Sequence, residues 1–207
     1  MTGTVNDLPT QRSQAKADRR NALLDAAATL FAEHGFNGVS LEDLGAAAGV
    51  SGPAVYRHFS GKQAVLGAIL VGVSQNLLSG GETVIAASHT AADALRGLVQ
   101  FHVDFALDNP DVIRVQDRDL ASLTDADRIA VRTLQRMYVE LWVRVLTRLH
   151  PETDASQLRI RAHAVFGLIN STPHSAHAPG SGAAQLSPEL VGSILEQLAL
   201  AALTAPA

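Results

Sequence analysis

Apolar residues return every three to four positions through most of this chain, the period that lays them along one face of an α-helix. The spacing of Leu23, Ala27, Leu30 and Phe31 predicts a first helix from about Ala15 to His34, closed by Gly35. A second should begin at Ser40, because Ser40-Leu-Glu-Asp43 sets a hydroxyl N-cap three residues ahead of an acid, approximating a capping box whose third residue is usually Glu. Leu41, Leu44 and Ala48 form its inward side, and Gly49 ends it. After Val50, Ser51 is a second N-cap candidate and opens a short helix over 51–58, with Pro53 in the first turn, where its missing N–H costs no hydrogen bond. Val55 and Phe59 stand four apart and face inward, which leaves Pro53, Ala54, Tyr56, Arg57 and His58 on the open side. A longer helix over 61–78 carries Val65, Ile69 and Val73 inward and stops at Ser79-Gly-Gly. Further helical patterns lie near 90–108, 110–121, 125–149, 155–172 and 187–203, separated by Asn109-Pro110, the 121–125 region and Pro151. Residues 173–188, rich in Pro and Gly, are the clearest gap between elements, and no series of short alternating runs suggests strands. The expected fold is all-α without internal repeats: a flexible arm over 1–14, a small N-terminal helical domain over 15–60, and a connecting helix with a larger helical domain over 61–207.

Composition sharpens this picture. With 47% hydrophobic but only 4% aromatic residues in 207, the core must rest on Leu, Val, Ile and Ala, which suits closely packed helices. The absence of cysteine excludes disulfides and thiolate chemistry. No signal-like apolar run opens the chain and no uninterrupted membrane-length stretch comes later, so a soluble, cytoplasmic protein without a membrane partner is expected. The net charge of −4 is unevenly spread. Arg12, Lys16, Arg19 and Arg20 crowd one short segment against Asp18 alone, while residues 104–127 hold seven aspartates. Local positive potential of this kind is enough for a nucleic-acid face on an otherwise acidic protein. No catalytic triad or phosphate-binding loop can be assembled, and His163, His174 and His177 have no carboxylate or cysteine at ligand spacing. No enzyme activity, metal or cofactor is expected.

The span 40–58 therefore holds two short amphipathic helices, with Ala47, Ala48 and Gly49 allowing close crossing and Val50 as an apolar plug. An ordinary helical corner has the same outline. The exposed Tyr56, Arg57 and His58, followed at once by a capped helix bearing Lys62, favour a helix-turn-helix that enters a major groove while its neighbours hold phosphates. Three strings carry a more specific likeness: Leu24-Asp-Ala-Ala-Ala-Thr-Leu-Phe-Ala-Glu-His-Gly-Phe36, Ser40-Leu-Glu-Asp-Leu-Gly-Ala-Ala-Ala-Gly-Val-Ser51, and Ala54-Val-Tyr-Arg-His-Phe-Ser-Gly-Lys62. Over about residues 20–66 the chain resembles the TetR/AcrR family of bacterial transcriptional regulators. The resemblance implies a three-helix DNA-binding region, a fourth connecting helix, and a variable helical domain for ligand binding and dimerisation.

On that resemblance, Ser40 caps the second helix and helps place it at a phosphate. Ser51 starts the recognition helix, Tyr56 and His58 make backbone or groove-edge contacts, and Lys62 contacts a phosphate. Gly52-Pro53 departs from the Lys-Gly or Arg-Ala pair common at this place in the family. Gly52 offers no side-chain donor, while Pro53 and Ala54 suit a thymine methyl; Arg57 adds a charged contact.

In the larger half, Phe101, Phe105, Met137, Tyr138, Trp142 and Phe166 gather most of the chain's aromatics, and with Asn170 and His174 they are candidates for an effector pocket. Core packing, or capping at the helix broken by Pro173, is the alternative for each. Leu158, Ala162, Val165 and Ile169 form one apolar face, and Leu190, Ile194, Leu198 and Ala201 another; the resemblance implies that the last two helices build a four-helix dimer interface. Two copies would then address a roughly palindromic operator on double-stranded DNA. A hydrophobic or amphipathic small molecule would move the connecting helix and release the DNA, with activation or corepression as the other signs within the same fold. A purely non-catalytic helical interaction protein is the reading from another class.

Overall fold

Side-chain caps set most of the helix starts, because each satisfies an N–H that the first turn leaves without a partner. Ser40, Thr90, Thr124, Asp154 and Ser187 all accept from a backbone N–H two or three residues on. The structure is a computed structural model that describes residues 11–50, 52–172 and 186–206. Among the described residues there are nine α-helices and no strand: α1 (Gln11–His34), α2 (Leu41–Ala47), α3 (Gly52–Val55), α4 (Lys62–Ala87), α5 (Ala91–Asp108), α6 (Pro110–Asp119), α7 (Asp125–Leu149), α8 (Ala155–Ile169) and α9 (Pro188–Thr204). Short 3-10 turns at Phe36–Gly38 and Leu120–Ser122 complete the described elements. The all-α expectation holds, and α5, α7 and α9 fall within a residue or so of their expected spans.

Outside α3, three boundaries differ by three residues or more. Helix α1 starts at Gln11, inside the segment expected as an arm. Helix α8 ends at Ile169, where Asn170 caps it. Helix α4 does not stop at Ser79-Gly-Gly but continues to Ala87. Packing explains the glycines: a Cβ on Gly80 would strike the Phe101 ring, and one on Gly81 would lie 2.8 Å from Tyr138 Cε2. They are places where α5 and α7 come close to α4, and the surrounding packing overrides a low helix propensity. Helix α4 is long and apolar enough to cross a membrane by composition, but it packs along α1, α5 and α7.

Buried side chains form two cores. The first joins Leu23, Ala27, Phe31, Leu44, Val55 and Phe59 to Val65, Leu66, Ile69 and Leu70 of α4. The second gathers Leu95, Leu98, Val103, Leu141, Trp142, Leu146, Leu158 and Ile169 with Leu195 and Ala199 of α9. Helix α6 belongs to both: Ile113 is buried in the second core and Val115 in the first. Arg118, near its C-terminal end, donates from Nη1 to Ala32 O at 3.2 Å and from Nη2 to Phe31 O, capping the carbonyls at the end of α1. The buried Asp119 carboxylate orients the guanidinium, with Nη2 to Oδ2 at 3.0 Å. Helix α6 is thus packed into the second core and hydrogen-bonded to α1 of the first.

Candidate nucleic-acid interface

The reading head begins with a reciprocal cap. Asp43 N donates to Ser40 Oγ at 3.1 Å, and Ser40 N donates to Asp43 Oδ2 at 2.8 Å, so Asp closes the capping box here. Hydrogen bonds from Ser40 hold the Asp43 carboxyl below its usual range. Gly49, at φ +66°, reverses the chain in a left-handed conformation that side-chain-bearing residues rarely adopt. Val50 N then reaches back to Gly45 O at 2.8 Å, which closes the turn at the end of α2.

Helix α3 is shorter than the span 51–58 expected from sequence. Among the described residues of that span, Gly52–Val55 is α-helical; His58 N to Val55 O, at 2.9 Å, continues it as a turn. Val55 and Phe59 are both buried, and Phe59 N still donates to Val55 O at 3.0 Å, so the inward face expected from their spacing persists through the turn. Arg20 of α1 lies over the Phe59 ring at 4.7 Å. Tyr56 is 57% exposed, Pro53 and Arg57 are exposed, and Ala54 and His58 are half-buried. Between α1 and α3 runs a cleft of about 450 Å³ lined by Lys16, Arg19, Leu23, Val50, Ala54, Arg57 and His58. Three arginine or lysine side chains and a histidine thus line one opening, which makes it a locally basic surface.

Lys62, half-buried, lies outside that cleft. Its Nζ donates to Val39 O at 2.7 Å and stands 4.5 Å from the centre of the Phe36 ring. The ammonium is used inside the protein, where it ties the start of α4 to the α1–α2 connection. Replacing Lys62 by Met is therefore expected to lower the melting temperature while leaving the salt dependence of DNA binding unchanged. A shallower salt slope in an otherwise fully folded variant would restore the phosphate assignment. Ser51 and His174, and the side chain of Arg12, lie outside the described residues.

In the larger core, the expected aromatic group is only partly assembled. Phe105, Tyr138, Trp142 and Phe166 surround His102, with ring centroids 4.9–6.1 Å from it. Asn170 joins them through Oδ1, 3.2 Å from His102 Nε2. Phe101 instead covers Gly80, and Met137 is 47% exposed; neither belongs to this group. His102 is the residue that sequence reasoning missed. Its only signal is a lone imidazole in line with Leu95, Leu98, Val99 and Ala106 on the apolar face of its helix. Burial lowers its pKa to about 4, against a smaller upward effect of the Asn170 hydrogen bond. The unfolded chain binds a proton near pH 6.5 and the folded one does not until about pH 4, so this group makes folding less favourable as pH falls through that window. Thermal melts should show a loss of about 1.4 kcal/mol per pH unit from this site, and His102→Gln should remove that component.

The two predicted dimer faces also divide. Leu158, Ala162, Val165 and Ile169 are buried in the protomer's own core, at 0–1% exposure, because α8 turns that face toward α5, α7 and α9. They cannot meet a second copy. Leu190, Ile194 and Leu198 of α9 are 41–50% exposed, and Ala201 is also exposed. On α8 the outward apolar residue is Ile160.

Residues 23–69 match the family model described as bacterial regulatory proteins, tetR family, and residues 88–200 match the one described as tetracyclin repressor-like, C-terminal domain. The chain belongs to the TetR family. It is a DNA-binding transcriptional regulator of that family, with a helix-turn-helix domain followed by a helical C-terminal domain. Among curated relatives, it is 28% identical to the HTH-type transcriptional repressor KstR2 of Rhodococcus jostii, over 67% of this chain and 68% of that one. It is 33% identical to the transcriptional activator FasR of Mycolicibacterium smegmatis over 42% of this chain and 40% of that one. A TetR-family regulator from Bordetella parapertussis superposes with a TM-score of 0.75 at 26% identity, covering 87% of this chain and 93% of that one.

Proposed function

We propose that this TetR-family chain acts in the cytoplasm, without catalytic activity, as a homodimeric repressor. It would read a roughly palindromic operator through the edge formed by Pro53, Ala54, Tyr56, Arg57 and His58, with the head over 15–60 and the body over 61–207 as its working domains. The observation that carries this reading is the basic cleft between α1 and α3, which sets Lys16, Arg19, Arg57 and His58 beside the exposed Tyr56. Dimerisation rests on the apolar strip of α9 and its groove of about 300 Å³, lined by Leu168, Leu186, Val191, Ile194 and Leu198. Repression fits the likeness to KstR2; activation is the second reading, favoured by the likeness to FasR. Mobility shifts with the DNA upstream of the chain's own coding region, followed by transcription from that region in a reporter, test both. Saturable binding with lowered transcription supports repression, raised transcription supports activation, and no binding contradicts autoregulation.

A hydrophobic or amphipathic effector in the larger core would release the DNA by displacing α6. That helix is buried at Ile113 in the body and holds α1 through Arg118. Arg118→Ala should keep effector binding but reduce the effector-driven loss of operator affinity, with coupling of about 1–3 kcal/mol falling toward zero. Fluorescence anisotropy with and without effector reads this, and unchanged coupling would exclude the clasp.

A further inference from the structure

Helix α4 carries four glycines, and packing accounts for three of them. A Cβ on Gly67 would stand 2.5 Å from Asp127 Oδ2, and Gly80 and Gly81 lie against Phe101 and Tyr138. Gly72 differs: nothing lies within 4 Å of the place its Cβ would take. It opens onto a groove of about 390 Å³ between α1, α4 and the start of α6. The basic cleft beside α3 is a separate opening with a different lining.

The groove has an apolar floor, formed by Leu24 of α1, Ile69 and Val73 of α4, and Val112 of α6. Leu24 and Val112 are only partly buried against the first core, so apolar surface here meets water that an occupant would displace. The charge around it is one-sided. Asp25 is exposed and is the only charged residue in the lining. Among the described residues no ion pair engages it. The run of aspartates over 104–127 reaches the same place: Asn109 and Val112 line the groove, and Asp108 and Asp111 are their neighbours in the chain. Arg114 balances Asp111 in part, at 3.5 Å. An anion is repelled by this surface and a neutral molecule leaves the Asp25 carboxylate without a counterion. An organic ammonium ion with an apolar tail meets both demands.

We propose that this groove binds a small amphipathic cation, with its primary ammonium at Asp25 and its tail over Ile69, Val73 and Val112, in the room left by Gly72. The occupant touches the N-terminal domain through α1, the body through α6, and the connecting helix between them. It holds these three elements together from outside the larger core, so the site does not depend on the reading of that core as an effector pocket.

The test uses the full chain, labelled with nitrogen-15 and free of DNA, at neutral pH and low ionic strength. It is titrated with 4-phenylbutylamine, 4-phenylbutan-1-ol and 4-phenylbutyrate, which share a tail and differ in charge. Backbone amide shifts of Leu24, Gly72 and Val73 report the groove directly. The amine should give saturable shifts, the alcohol should bind about threefold more weakly, the worth of one exposed ion pair, and the carboxylate at least about tenfold more weakly. Added salt should narrow the gap between amine and alcohol. Asp25→Asn should make those two bind alike, and Gly72→Phe should abolish the binding of both, with circular dichroism confirming each fold. Because Asp25 is exposed, its variant keeps the test decisive even if the phenylalanine ring is not accommodated. No saturable shift with the amine up to its solubility, equal binding of amine and carboxylate, or an unchanged preference in Asp25→Asn would overturn the proposal. Failure of operator binding is read separately, by mobility shift.

Discussion

Replacing Lys16 and Arg57 together by alanine is expected to weaken specific operator binding by about a hundredfold and to flatten its salt dependence by about two units of slope, one for each phosphate no longer neutralised. Both side chains line the cleft between α1 and α3, and both are exposed, so the double variant should fold normally. The pairing of positions 16 and 57 matters. They are far apart in sequence, and only the packing of α1 across the head brings them to one opening. Tyr56→Phe is the milder companion, since it removes a hydroxyl and keeps the exposed ring. Fluorescence anisotropy at several salt concentrations measures all of these. A double variant that binds with wild-type affinity and slope would show that phosphates are held elsewhere.

Ile194→Glu combined with Leu198→Glu is expected to give a folded monomer at micromolar concentration, seen by analytical ultracentrifugation. Both residues are 41–50% exposed in the protomer, so the new carboxylates reach water in the monomer and would be buried in a dimer, where unpaired charge is strongly disfavoured. Leu195 and Ala199, each the next residue along α9, are buried in the core and keep the helix in place. With only one reading head per molecule, operator affinity should fall by about a hundredfold to ten-thousandfold, the scale on which linking two half-site contacts strengthens binding. A variant that remains dimeric would move the interface off α9.

Much of this organisation is legible in the chain because local chemistry and global packing agree. Ser40 and Asp43 specify the start of α2 from four residues alone, and the Val55–Phe59 pair announces its inward face by spacing. The misreadings come from places where tertiary structure decides. Gly80-Gly81 looks like a break, yet Phe101 and Tyr138 fill the space that side chains would take. Lys62 looks like a surface cation at a helix start, but Val39 O and the Phe36 ring draw it inward. Leu158, Ala162, Val165 and Ile169 form a clear stripe, and a stripe does not reveal whether it meets the same chain or another. His102 escapes sequence reasoning because its partners, Tyr138 and Asn170, lie 36 and 68 residues away. The place of α3 is plain from its flanking residues, but its end at Val55 is not.

If the exposed edge of α3 and its turn read duplex DNA in a sequence-specific way, selection from a random-sequence duplex library by the full chain tests this most directly, since no operator need be known. The expected outcome is enrichment of an inverted repeat whose half-sites lie about one helical turn apart, abolished when Lys16 and Arg57 are replaced. A library that stays random after repeated rounds, or one enriched equally by the double variant, would contradict it.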